Sequence, residues 1–307
     1  MNSPFDPKLL ETAAVLTDAK TVNSSSWQAH LSLSFAQRSR GVRLVQCEHE
    51  GPLYVQKAFY PEGPDCAHVY LLHPPGGLVT GDTLSISVEA QTGSHALLTT
   101  PGAGRMYKAR VLSGGKAGGV QTQNLELTIQ ENACLEWFPL ETILFPSAHA
   151  RMNTRIDLAD HASMITWDIT CFGLPANDLR FDSGSVQQKL QIWQNNKILL
   201  NEALVLDGEC SALLNGKAGL RALPVHGLML AGPFKQNPLD LIEALRELQE
   251  QTSKNEFLAT SLNGEFMTVR YLGSCTEKVR KLFSQAWALI RPELIHKDAV
   301  PPRIWAT

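Results

Sequence analysis

The side chains of this chain most able to do chemistry are a thiol, two imidazoles and four carboxylates in apolar surroundings. Cys66-Ala-His68 places a thiol and an imidazole on one face of a strand that begins there, with His73 close in sequence but on the opposite face. Such a set could ligate a borderline divalent metal ion. It could equally be a strand-edge cysteine beside a hydrogen-bonded histidine, since no fourth ligand is indicated. Glu136 and Glu141 flank Trp137-Phe-Pro-Leu140, and Asp168 interrupts Ile165-Thr-Trp-Asp-Ile-Thr170. A carboxylate so placed is either paired with an arginine or lines a wet cavity. Asp82 closes a loop, Tyr70-Leu-Leu-His-Pro-Pro-Gly-Gly-Leu-Val-Thr-Gly-Asp82, in which prolines fix φ and Gly76, Gly77 and Gly81 permit positive φ. The glycine spacing there approaches a phosphate-binding loop. Asp82 stands where that loop needs lysine, and a carboxylate would repel the phosphates.

The elements that must hold these residues are mostly strands. His30–Phe35 alternates cleanly, and Leu84-Ser-Ile-Ser-Val88 does the same after the loop. Further strand-like runs lie at 42–47, 53–59, 69–72, 96–99, 125–129, 134–138, 154–158, 164–170, 186–193, 198–206, 227–230 and 265–272. Gly/Pro/Asp punctuation at 61–64, 114–119, 182–184 and 207–208 separates several of them. No internal repeat is legible. Two helical stripes stand out. One is capped by Asn237 with Pro238 first and runs through Gln251; the other runs from Thr276 to Ile290 and stops at Arg291-Pro292. Both stripes are expected to pack on the β body. Residues 1–26 read as a flexible lead-in and 27–307 as one β domain.

Composition excludes several classes. With 307 residues, 44% of them apolar, a large core can form; a net charge of −3 leaves no electrostatic footprint for nucleic acid or an anionic membrane. No leader pattern or spanning run is visible, and six scattered cysteines without a Cys-x-x-Cys suit reduced thiols. A cytoplasmic location is expected. Neither a Gly-x-Ser-x-Gly elbow nor a His-Glu-x-x-His helix is present, so no hydrolase machinery is apparent. A sugar-cleaving β enzyme using two of the carboxylates at roughly 5–9 Å is one alternative, to be recognised by an open cleft lined with aromatics.

Several longer words carry a resemblance. Gly51-Pro-Leu-Tyr-Val-Gln-Lys-Ala-Phe-Tyr-Pro-Glu-Gly63, His68 to Gly77, Gly81-Asp82, Thr99-Thr-Pro-Gly-Ala103 with Tyr107, and Leu135 to Phe145 resemble the urease accessory protein UreD (UreH) family. So do Arg270-Tyr-Leu-Gly273, Trp287 with Arg291-Pro292, and Pro302-Arg-Ile-Trp305. The resemblance implies a mainly β, superhelical, β-helix-like body with two helices in its C-terminal half, and a protein that is not an enzyme. It implies partnership with the urease apoprotein, with UreF and, through UreF, with the GTPase UreG. It also implies delivery of nickel to the dinickel site by an internal passage, with no tightly bound cofactor. A plain scaffold without metal passage is the other alternative.

A passage needs donors that hold an ion briefly, as in any selective pore, and nickel binds thiolate and imidazole tightly. Asp82, Glu136, Glu141 and Asp168 are therefore the expected transient contacts, with Cys66, His68 and His73 as ligands at its mouths. Two departures bear on function: the arginine and glutamate of a family word are Leu174 and Leu179 here. If those were an ion pair, joint replacement by apolar residues is close to neutral.

Overall fold

A computed structural model describes residues 26–111, 118–207 and 211–306. All but the last residue of the expected lead-in, most of the 114–119 turn and Gly208 lie outside the described residues.

The chain opens with β1 (Gln28–Arg38), β2 (Gly41–Glu50) and β3 (Tyr54–Phe59), and then begins to wind. It passes through β4 (Ala67–Leu72), β5 (Thr83–Ala90), β6 (His95–Thr99), the short β7 (Gly104–Met106), β8 (Gln121–Ile129) and β9 (Cys134–Phe138). After β10 (Thr142–Leu144) come β11 (His149–Leu158), β12 (Ser163–Leu174), β13 (Leu179–Arg180), β14 (Ser185–Gln194) and β15 (Lys197–Asp207). A short helix α1 (Ser211–Asn215) and β16 (Val225–Gly232) precede helix α2 (Leu239–Glu247). The chain closes with β17 (Phe257–Asn263), β18 (Phe266–Gly273) and helix α3 (Thr276–Ile295).

Two sheets receive these strands in turn. One is seven-stranded, in the order β15-β14-β11-β8-β5-β1-β2; the other is eleven-stranded, its main path β17-β18-β16-β12-β9-β6-β4-β3. From β4 to β14 the long strands alternate between sheets, and neighbours within each sheet run parallel. That is a two-sheet superhelical coil, the β-helix-like course expected. Its repeat is also visible: Ala67 lies beside Ala96, Cys134 beside Ser163 and Gln121 beside Ala150, the same spacing each time. The turn that contains β7 is longer, setting His95 beside Cys134.

Two apolar layers result. Alternate residues such as Leu31, Ile86, Leu125, Ile156, Val69, Leu98 and Trp137 fill the space between the sheets. The other face of the larger sheet, with Leu97, Phe138, Trp167 and Met229, packs under α2 and α3 through Leu245, Val279, Phe283, Trp287 and Ile290. The helical stripes are thus core-facing, as expected.

Helix ends differ from expectation. Pro238 occupies the cap position of α2 without a side-chain cap bond, and the Asn237 carbonyl accepts from Leu239 N–H. The regular helix ends at Glu247 and a 3₁₀ turn carries it to Gln251. Helix α3 continues past Arg291-Pro292 to Ile295. Pro292 removes one hydrogen bond, but the burial of Trp287, Ile290 and Arg291 against the sheet outweighs that local loss, and His296 ends the helix in the left-handed region.

Candidate functional site

The seven singled-out residues fall into three places rather than one. The first is a buried knot under α3. Cys66 and His68 sit at the head of β4, Glu136 in β9 and His95 at the start of β6; Arg291 descends from α3 among them. Glu136 Oε1 accepts from His95 Nε2 at 2.7 Å and from Arg291 Nε and Nη2 at 3.1 and 3.0 Å, while Oε2 accepts from Trp287 Nε1 at 2.6 Å. Glu62 Oε1 lies 2.8 Å from Arg291 Nη2 and 2.6 Å from His68 Nε2. Arg291 also donates to the Asp298 carbonyl, tying down the tail that follows the helix. Burial pushes both carboxyls up, but their donors prevail: Glu62 is held down to about 2, through His68 and Arg291, and Glu136 is lowered by His95, Arg291 and Trp287.

Ligand atoms of Glu62, Cys66 and His68 lie within 4.8 Å of one another, as do those of Cys66, His95 and Glu136. Either set has the donors of a metal centre. Yet the guanidinium of Arg291 already stands among them as the compensating cation, and burial, aided by Glu136 and Glu62, pushes the Cys66 thiol far above its usual range. An ion would have to displace Arg291 and strip a proton from a reluctant thiol. The chemistry favoured here is charge pairing.

The second place is a rim where three motif loops meet. Gly76 N–H donates to the His73 carbonyl at 2.8 Å, and Leu78 and Tyr107 exchange backbone bonds with Arg105 and Leu78. Gly104 N–H reaches the Glu141 carbonyl at 2.9 Å, and Leu140 N–H reaches Thr100 Oγ1 at 2.9 Å. Asp82 is buried and employed in the turn: Oδ2 accepts from Val79 N–H at 2.9 Å and Oδ1 from Trp27 N–H at 3.2 Å. His73 lies 5.4 Å from the Trp27 ring; burial lowers its pKa against the pull of Asp82. Below the rim is a cavity of about 210 Å³ reached by His73, Arg105, Gln123 and Trp137. Glu141 is half-buried at the edge. Gly76 has φ of 68°, whereas Gly77 is glycine for a different reason: a Cβ there would come within 2.6 Å of the Tyr107 ring and 2.7 Å of the Arg105 carbonyl.

The third place lies between the sheets. Asp168 faces inward from β12 toward Gln188 on β14, whose Nε2 donates to Oδ2 at 2.5 Å; Thr170 adds a weak contact at 3.4 Å. Asp168 and Gln188 line a cavity of about 220 Å³ with Glu202, His226, Arg270 and three leucines. No cation bonds to Asp168 among the described residues, and burial raises its pKa despite the Gln188 and Thr170 hydrogen bonds. Burial, with Arg270 nearby, lowers His226 to about 4 although Glu202 opposes this. Glu202 and Arg270 form an ion pair between β15 and β18, bridging the two sheets.

Sequence reasoning missed Glu62, His95, Gln188, Glu202 and His226 as site residues. One signal was available: Gln188 occupies an inward position in Val186-x-Gln188-x-Leu190-x-Ile192, where an amide needs a reason. The departures at Leu174 and Leu179 prove to be direct cross-strand partners on β12 and β13, so an ion pair there would be exchanged for an apolar pair in one geometry.

No helix among the described residues is long and apolar enough to cross a membrane. Residues 28–306 match the family model described as UreD urease accessory protein. A Urease accessory protein UreD of Marinomonas sp. is 46% identical, covering 99% of this chain and 96% of its own length. The Urease accessory protein UreD of Alcanivorax borkumensis is 40% identical over 94% of this chain and 95% of its own, and that of Methylobacillus flagellatus 36% over 92% and 95%. The motif loops, the two-layer β body and these matches together identify the chain as a member of the UreD urease accessory protein family.

Proposed function

We propose that this chain serves urease maturation as a non-catalytic scaffold and nickel passage. It would stand between a UreF/UreG GTPase complex and the urease apoprotein in the cytoplasm. The observation that carries the passage is Asp168: a carboxylate withdrawn between two sheets, bonded among the described residues only to neutral donors, in a cavity with room for a partly hydrated ion. Carboxylate, amide oxygen and water hold a divalent cation exchangeably, as brief occupancy requires. Glu136 and Asp82 are spent on Arg291 and on backbone N–H groups, which makes them supports of the fold in this reading. Cys66 and His68 belong with them; His73 and Glu141, at the rim, remain contacts for an ion at a mouth of the passage.

The sugar-cleaving alternative calls for an aromatic cleft, and the cavity shared by Asp168 and Glu202 is walled by Leu190, Leu204 and Leu228 instead. The test is Asp168→Asn in the assembled maturation complex. Urease nickel content is expected to fall several-fold with complex yield unchanged; full loading would reject the passage and leave the plain scaffold.

A further inference from the structure

One row on the inner face of the seven-stranded sheet breaks the apolar pattern. Leu84, Gln123, Met152, Gln188 and Leu204 are successive register partners on β5, β8, β11, β14 and β15. Two residues further along the strands the corresponding row is Ile86, Leu125, Thr154 and Leu190, without amides. Gln123 lines the cavity below the motif rim, and Gln188 lines the cavity of Asp168. Met152 stands between them, 5% exposed and part of the inter-sheet core.

The spacing makes this separation thin. Neighbouring strands lie about 4.8 Å apart, so the backbones bearing the two glutamines are roughly 10 Å apart across the sheet. In this register row a single residue, Met152, separates Gln123 of one cavity from Gln188 of the other. Buried amides are costly unless paired, and Gln188 Oε1 is buried without a hydrogen-bond partner among the described residues. An unpaired amide oxygen beside a carboxylate suits a cation better than it suits a closed apolar core. Methionine suits the position between: it is unbranched, has three rotatable side-chain bonds, and its thioether is a weak, soft donor. Leucine or isoleucine would fill the same volume as a stiffer wall.

We propose that the two inter-sheet cavities are compartments of a single path for a borderline divalent cation, and that Met152 is its movable partition. Rotation of the thioether side chain opens the path, with the Gln123 and Gln188 amide oxygens replacing hydration waters on either side. This rests on the passage reading above, and the experiment separates the two. Nickel loading of urease apoprotein is timed in the assembled complex with Met152→Phe, Met152→Ala and Asp168→Asn, alongside complex yield and melting temperature. With Met152→Phe, loading is expected to slow about tenfold, equivalent to roughly 1.4 kcal/mol of added barrier. Met152→Ala is expected to load two- to threefold faster than the parent, a difference of well under 1 kcal/mol. Unchanged loading with a folded Met152→Phe overturns the partition. If Met152→Phe fails to fold, Met152→Ala decides, and parental or slower loading there overturns the proposal. Slow loading with Asp168→Asn but parental loading with both Met152 variants rejects the partition alone. Parental loading with all three rejects the passage as well.

Discussion

Glu136 and Asp168 look alike in the sequence, each an acidic residue inside a run of large apolar neighbours, yet the molecule treats them in opposite ways. Glu136 receives a guanidinium, an imidazole and an indole N–H, and its pKa falls. Asp168 receives an amide and a hydroxyl, and its pKa rises. The first charge is compensated inside the fold and has nothing left to offer. The second has no cation bonded to it among the described residues and sits, at a cost in stability, beside a cavity. A buried carboxylate is therefore informative about cargo only once its cation has been looked for along the whole chain.

The largest expected effect comes from opening the knot. Arg291→Ala leaves Glu62 and Glu136 buried with their cation gone and is expected to cost about 3–5 kcal/mol, read as a lower denaturation midpoint or lost soluble protein. The double change Arg291→Met with Glu136→Leu should recover much of that loss, because no charge is then left unpaired at that pair. A wild-type midpoint in Arg291→Ala would dissolve the contrast.

Acidity sharpens it next. Glu62 falls from an ordinary value of 4.5 to about 2, so its contribution is fully present above about pH 5 and is lost as pH falls from there toward 2. That contribution is up to about 3 kcal/mol and should be missing from Glu62→Gln. His226 belongs to the cavity and acts at a different pH. Its folded value of about 4 lies below the ordinary 6.5, so the folded state takes up its proton later and stability declines as pH drops from about 6.5 to 4. His226→Gln should flatten that segment of the stability–pH curve while leaving the lower one intact. Coincident loss of both segments in either variant would mean that the two regions are one coupled network.

Smaller effects follow at the rim. Gly77→Ala is expected to cost about 1–3 kcal/mol by overpacking against Tyr107 and Arg105. Gly76→Ala is expected to cost about 1–2 kcal/mol through its left-handed backbone. Thermal midpoints of the two variants check the ranking. The smallest effect should be Leu174→Arg combined with Leu179→Glu, within about 1 kcal/mol of the parent, since the two face each other at a partly exposed strand pair.

Much of the coil was legible. The run Cys134–Phe138 is legible to the residue, and alternation marks β1, β5, β8 and β14 because one face of each is buried. Strands β7, β10 and β13 were not, since two or three residues hold no period, and the exposed-edge pattern of β17 is likewise weak. The repeat is hidden in the sequence because the longer turn through β7 and the different offset between β11 and β14 both break its spacing. The knot was beyond local reading: Arg291 meets Glu136 across 155 positions of chain. The inter-sheet cavity was half legible, through Asp168 but not through the histidine, arginine and amide that other strands bring to it.

The central claim, that the knot holds the fold while the cavity carries the cargo, is tested most directly by loading urease with nickel in two complexes side by side. One contains Asp168→Asn; the other contains Arg291→Met with Glu136→Leu. The expected result is a double dissociation. Asp168→Asn should keep or slightly raise stability near pH 7, since a charge disfavoured by desolvation between the sheets is removed, while urease nickel falls several-fold. The knot variant, once folded, should load nickel normally. Normal nickel with Asp168→Asn, together with depleted nickel in a folded knot variant, would contradict the account.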